Sequence, residues 1–295
     1  MIPEEIKDAL LLQWANGGDF DSRLNDYNNI FESWINQIPE EFRGVILQLL
    51  KEVHYFTRRE ANRILKELHS KLIKTYKITD DNTIYTFIKS SDGKTNSSND
   101  YWTEYKNINN INPNVCYENI SAIEEENWKY IENIVYIDDF SGTGKSIKDE
   151  LKKHLGKLYG KTVYIIVVSL MINSKNRLEQ FGDFEGFNVI WLYGECRRKA
   201  FMQNIFENDQ KALTNYQILA NQIGIPEYLG RDKTQALVAF YNNTPNNTLG
   251  FVHGKSESYF PIFPRRFYKT PSWQSISKDS EKRKKANYNN LSRDY

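Results

Sequence analysis

The sequence has only two cysteines, Cys116 and Cys196, far apart and without a CxxC pair. That excludes a disulfide framework and a cysteine-built zinc cluster. Its four histidines (His54, His69, His154 and His253) are scattered, so each is expected as a surface or core residue rather than a metal ligand. An excess of charge is also missing. The 39 basic and 38 acidic residues leave a formal net charge of +1, which argues against a dominant nucleic-acid or membrane surface. The longest apolar stretch, Val163 to Ile172, is too short to cross a bilayer. Met1-Ile2-Pro3-Glu4-Glu5 is acidic where the first part of a signal peptide would be basic. A soluble, cytoplasmic protein is expected. At 295 residues the chain can bury a sizeable core, enough for one α/β domain with additions or for two small ones.

What is present is organised around residues 131–148. Ile134 to Ile137 is a short apolar run rich in β-branched residues and predicts a buried parallel strand. It stops at two consecutive carboxylates, Asp138 and Asp139. A flexible loop follows, Ser141-Gly142-Thr143-Gly144-Lys145-Ser146, and then a helix with Ile147, Leu151, Leu155 and Leu158 on one face. A strand, a glycine loop and a helix N-terminus make an anion site, because free N–H groups and the positive end of the helix dipole meet there.

The chain before this centre reads as helical over residues 1–78. Ile6, Ala9, Leu10 and Trp14 line one face of a first helix, and Leu24 to Ile38 form a second that ends at Pro39. Phe42 to Val53 form a third. Thr57-x-x-Glu60 is a capping box opening a fourth, with Ala61, Ile64, Leu65, Leu68 and Leu72 facing inward. Ile84 to Ile88 is expected as the first strand of the sheet. Ser91, Gly93 and Lys94 lie in the polar loop after it, and Tyr101, Trp102 and Tyr105 then serve either as core or as stacking partners for a base. A further strand is expected at Val115 to Ile120.

After the centre come strands at Val163 to Met171 and Asn188 to Tyr193, with a helix from Lys175 to Phe181 between them. Continuous apolar strands alternating with helices predict a parallel sheet covered on both faces, with ligands beyond the carboxyl ends of its strands. Residues 197–223 are expected to be helical, and Ala236 to Phe240 to be a strand. That strand leads into the Tyr241–Gly250 loop, where Asn243, Asn246 and Asn247 stand. Residues 276–295 carry Lys282-Arg283-Lys284-Lys285 and read as a mobile basic tail, the only part expected to touch nucleic acid directly. The expected divisions are a helical region at 1–78, a catalytic core at 79–224, a cap at 225–275 and the tail.

Four hydrophobic residues, two acids and a Thr/Ser/Gly loop resemble the phosphoribosyl-pyrophosphate (PRPP) signature of type I phosphoribosyltransferases. The resemblance implies a Rossmann-like parallel sheet and chemistry at ribose C1′ with Mg²⁺. It makes Asp138 and Asp139 the catalytic, ribose-binding and metal-facing acids. Ser141, Gly142, Thr143, Gly144, Lys145 and Ser146 would hold the 5′-phosphate, and Ser91, Gly93 and Lys94 the pyrophosphate. Asn243-Thr244-Pro245-Asn246-Asn247-Thr248-Leu249 and Pro261-Ile262-Phe263-Pro264-Arg265 resemble a narrower group, the phosphoribosyltransferase-like effectors of bacterial conflict and antiphage systems, some found beside retron reverse transcriptases. There Asn243, Asn246 and Asn247 would read the substrate, and a reverse transcriptase or regulatory protein would be the partner. Here Tyr259 stands where that group has Trp, and Gly250-Phe251-Val252-His253 replaces its usual P-x-x-W.

Two other readings stay open. Gly144-Lys145-Ser146 matches the end of a P-loop, which would make the chain a nucleotide hydrolase. Against it, Asp139 occupies the first glycine's place, and each acid would repel a triphosphate by roughly a kcal/mol or more. The other reading is a non-catalytic PRPP or nucleotide sensor that regulates a partner through the helical prefix.

Overall fold

The computed structural model describes Glu5, Leu10, residues 27–89 and residues 96–265. From residue 27 onward the first elements are α1 (Tyr27–Asn36) and α2 (Glu40–Lys51), divided at Pro39, which cannot continue the first helix. A short strand, β1 (His54–Phe56), precedes α3 (Arg58–Tyr76). Then come β2 (Thr83–Phe87), α4 (Ser97–Asn109), β3 (Asn133–Ser141), α5 (Lys145–Lys152), α6 (Leu155–Leu158) and β4 (Thr162–Met171). The order closes with α7 (Ile172–Glu185), β5 (Asn188–Arg197), α8 (Asp209–Gln222), β6 (Val238–Phe240) and α9 (Gly250–His253).

The main sheet has four parallel strands in the order β2-β3-β4-β5. All nine residues of β3 are buried, as a strand covered on both faces requires. One face packs on α3 and α4 through Leu65, Leu68, Trp102 and Tyr105. The other packs on α5 and α7 through Ile147, Leu151, Leu178 and Phe181. Half of the predicted capping box forms: the Thr57 hydroxyl accepts from Glu60 N at 3.2 Å while the Glu60 carboxylate turns to His54, and Ala61, Ile64, Leu65, Leu68 and Leu72 are buried.

A third core joins the ends of the chain. Phe31, Trp34, Ile46 and Leu50 pack with Leu249, Phe251, Tyr259 and Phe263, and Trp34 Nε1 donates to Tyr259 Oη at 2.7 Å. Each such buried large side chain is worth roughly 1.5–3 kcal/mol relative to exposure. β1 and β6 pair in parallel as a separate two-stranded sheet, with Phe56 stacked on Phe240 at 4.9 Å.

Four expectations are corrected. The prefix contains a strand, β1, in three residues too few to show a period. The segment Val115 to Ile120 is not a strand. Pro113–Val115 and Ile120–Ala122 are 3-10 turns, because Asn112 and Asn119 side chains accept from Asn114 N and Ser121 N and draw the backbone away from a ladder. A single bridge, Tyr85 to Cys116, remains there. Residues 197–208 are not α-helical; β5 runs to Arg197, Ala200–Met202 form only a 3-10 turn, and α8 begins where Asn208 caps Lys211 N at 2.8 Å. The strand expected at Ala236 to Phe240 shortens to Val238–Phe240 and joins β1 rather than the main sheet. Of the expected first helix only Glu5 and Leu10 are described; Ile6, Ala9, Trp14 and the basic tail lie outside the described residues.

Candidate functional site

β2 ends at Phe87, opposite Ile137, so from Asp138 onward β3 keeps a ladder partner only on its β4 side. This opens the carboxyl end of the central strand beside its two acids. Ser98, in the first turn of α4, donates from Oγ to Asp138 Oδ1 at 2.6 Å. Asp139 N donates to the same oxygen at 2.9 Å, and Phe140 N donates to Asp139 Oδ1 at 2.8 Å. Both acids are buried, at 6% and 8% exposure. Burial, and then the adjacent Asp139 charge, push the Asp138 carboxyl well above the usual range, against the pull of the Ser98 and Asp139 N–H bonds.

The loop after the strand is braced from three sides. Ser141 and Ser174 hydroxyls lie 2.5 Å apart beneath it, and Arg177 Nη1 donates to Thr143 O at 2.7 Å. Gly144 turns into α5 with φ of +71°, a conformation that favours glycine. Gly142 is the point of closest approach: a Cβ there would fall 2.4 Å from Asn247 Cγ. Asn247 in turn donates from Nδ2 to Thr234 Oγ1 at 3.0 Å. The asparagine loop is therefore a fixed wall against the glycine loop.

Two adjoining cavities result. One, of about 160 Å³, is lined by Asp138, Asp139, Ser146, the asparagines Asn243, Asn246 and Asn247, and Arg265. The other, of about 420 Å³, shares Asn96, Ser146, Asn246, Asn247 and Arg265 with it and adds Thr143 and Lys145. Its cations are Lys89, Lys145, Lys153, Arg231 and Arg265, against Asp149, Glu150 and Asp232. Glu150 is already paired, with Lys153 Nζ at 2.7 Å. Surplus positive charge thus lies next to a surplus of carboxylate, an arrangement matched to a ligand with hydroxyls at one end and anions at the other.

Ser141, Gly142 and Gly144 line neither of these two cavities; they shape the loop. Asn243 lines the smaller cavity but also folds its own turn, with Oδ1 accepting from Thr244 N at 3.0 Å. Ser91, Gly93 and Lys94 lie outside the described residues. Tyr101, Trp102 and Tyr105 are core, not stacking platforms. Tyr101 packs on Phe240 and Tyr241, Trp102 on Phe87, and Tyr105 Oη lies 2.8 Å from His69 Nδ1. Sequence reasoning missed Ser98, Arg231 and Arg265 as site residues. Arg265 had a signal, since it ends the Pro261–Arg265 motif. Its Nη1 donates to Thr244 O at 2.9 Å, and burial draws its pKa down against the attraction of Asp139.

Mg²⁺ needs about six oxygens in an octahedron and usually takes one or two carboxylates plus phosphate oxygens and water. Among the described residues no group of three or more His, Cys, Asp or Glu could hold a metal. Asp138 and Asp139 each have one oxygen committed to hydrogen bonds. The pair fits Mg²⁺ only together with oxygens of a bound diphosphate.

A parallel α/β sheet with paired acids and a Ser/Thr/Gly loop at the carboxyl end of one strand is the Rossmann-like architecture of phosphoribosyltransferases. The family model PRTase-CE, of phosphoribosyltransferase-like and effector-like proteins, matches residues 31–265, and the chain belongs to that family. No curated protein matches it. No helix among the described residues is long and apolar enough to cross a membrane.

Proposed function

We propose that the chain binds PRPP or a ribose-phosphate nucleotide and acts at the ribose C1′, with transfer to an acceptor or to water. One observation carries this reading: the cavity at the buried acid pair and the cation-lined cavity share Asn96, Ser146, Asn246, Asn247 and Arg265 as a common wall. In this assignment Asp138 and Asp139 hold the ribose hydroxyls. Ser98 and the backbone fix their rotamers before a ligand arrives, so little ordering remains to be done on binding. The amides and hydroxyls of residues 142–146 take the 5′-phosphate at the positive end of α5. Lys89, Arg231 and Arg265 receive the leaving diphosphate, and the Asp139 charge favours the cation that develops at C1′. Mg²⁺, when bound, supplies Lewis-acid stabilisation of the leaving group. The biological role we assign is that of a cytoplasmic effector in bacterial antiphage defence, restrained by protein partners such as a reverse transcriptase. The effector-like character of the family supports it.

The test is incubation of the pure protein with PRPP, NAD and the nucleoside triphosphates, with and without Mg²⁺, with products identified by mass spectrometry. Release of pyrophosphate or a free base from a ribosyl substrate supports the reading. Turnover of ATP alone, sensitive to Lys145, supports the P-loop hydrolase instead. A specific observation favours the sensor as second reading. The region from Asn107 to Trp128, where the resemblance to type I phosphoribosyltransferases would put a catalytic flexible loop, is bedded in the core through Ile120, Ile123 and Trp128. Tight PRPP binding without turnover would decide for it.

A further inference from the structure

The glycine loop has a second side. Behind it, away from the acid pair, lies a cavity of about 370 Å³ between the carboxyl end of β4, the start of α7 and the 231–234 turn. The Gly142–Asn247 contact stands between it and the ribose-side cavity. Lys145 from α5, Arg177 from α7 and Lys199 from beyond β5 line it, with Asp232 as the only carboxylate in its wall. Three cations against one anion leave a formal excess of two positive charges. Ile172 and Asn173, the first residues of the 14-residue α7, also face it, and no side chain caps that helix at Met171. Its opening N–H groups and dipole add to the positive field.

We propose that this cavity is a second anion site, which takes a phosphate or diphosphate group of a ligand other than the one held at Asp138 and Asp139. Cations supplied by three separate elements, converging on one concavity, distinguish it from lysines spread over a surface. Its coupling to the loop is direct, because Arg177 donates to Thr143 O at 2.7 Å and an occupant would share that guanidinium. Gly142, Thr143 and Lys145 also line the cavity and belong to the loop assigned to the 5′-phosphate, so the inference rests on Arg177 and Lys199, which line neither of the other two cavities.

The experiment is calorimetric titration of the full chain with inorganic pyrophosphate and, in a second arm, with ADP. Lys199 lines only this cavity of the three, and Lys153 only the cation-lined cavity on the ribose side. Lys199→Gln should weaken pyrophosphate about fivefold to tenfold at one site, while Lys153→Gln leaves that site within about twofold. Asp232 borders both this cavity and the cation-lined one, so Asp232→Asn should tighten pyrophosphate, a gain that misfolding cannot imitate, and the two lysine variants assign it to a site. ADP binding about tenfold tighter than pyrophosphate would identify a nucleotide as the source, and equal affinities a free diphosphate. The proposal is overturned if pyrophosphate does not bind, if its loss follows Lys153→Gln alone, or if neither lysine variant changes it. Failure of wild-type protein to bind PRPP would sink the proposed function and leave this result standing.

Discussion

Glu195 and Asp138 are carboxylates on the same sheet, both largely removed from water, and the fold treats them in opposite ways. Glu195 accepts from Ser169 Oγ at 2.9 Å and Arg197 Nε at 2.6 Å, and lies 3.0 Å from His54 Nδ1. His54 reaches Glu60 with its other nitrogen at 3.1 Å, so β1, α3 and β5 are tied together. Burial alone would raise the Glu195 pKa, but His54 and Arg197 outweigh it and hold the carboxyl down at about 2. Asp138 has only a serine, a backbone N–H and another carboxylate, and its pKa goes up. A satisfied cluster is a staple. An unsatisfied one, in the function proposed above, is kept for a ligand that supplies what the chain withholds.

The hardest way to break this comparison is at the staple. Glu195→Gln keeps the shape but leaves His54 and Arg197 without their counter-charge. Removing one partner of a fully buried pair costs about 3–5 kcal/mol. Glu195 is 23% exposed, so a loss of roughly 2–4 kcal/mol in denaturant unfolding is expected. A loss under about 1 kcal/mol would make the cluster ornamental.

The staple also predicts a pH profile. Burial pulls His54 down, but the bonds and charges of Glu195 and Glu60 raise it from its ordinary 6.5 to about 9. Its stabilisation is therefore fully present below pH 6.5 and lost as the pH rises through 9. Glu195 has the opposite sign: its contribution is present above its ordinary 4.5 and lost as the pH falls through about 2. Melting temperature against pH should fall on both sides, and His54→Gln should flatten the alkaline limb. An alkaline limb unchanged in that variant contradicts the assignment.

At the other cluster smaller stability effects are expected. Gly142→Ala places a Cβ within 2.4–2.8 Å of the Asn247 amide and should cost about 1–3 kcal/mol. Adding Asn247→Ala should return most of that stability, though not ligand binding. Asp138→Asn removes a buried like-charge neighbour, so stability at pH 7 should change by less than about 1 kcal/mol or rise. A large loss would show that Asp138 is a second staple.

Much of the ligand end was legible in the sequence because its parts are contiguous. Apolar β-branched residues, two acids, glycines and a helix follow one another from Ile134 to Leu151, and the local period reports each of them. The capping box at Thr57 is legible for the same reason. What escaped comes from far away in the chain or is too short to carry a period. Ser98, Arg231 and Arg265 reach the site through tertiary packing, and no local pattern announces that they meet. The staple joins His54, Glu60, Ser169, Glu195 and Arg197, so it is visible only once β1 has been placed beside the main sheet. Val115 to Ile120 misled because an apolar stretch reads as strand, whereas asparagine caps on both sides decide for turns.

The central claim is that the Asp138-Asp139 pair holds a ribose. Measuring melting temperature and PRPP affinity together, in Mg²⁺, on Asp138→Asn and Asp139→Asn tests it most directly. A charge-assisted bond to a sugar hydroxyl is worth about 1.5–3 kcal/mol against about 1 for a neutral one. Each variant should therefore bind PRPP roughly tenfold more weakly, with its melting temperature little changed. Wild-type affinity for PRPP in both variants would contradict the account.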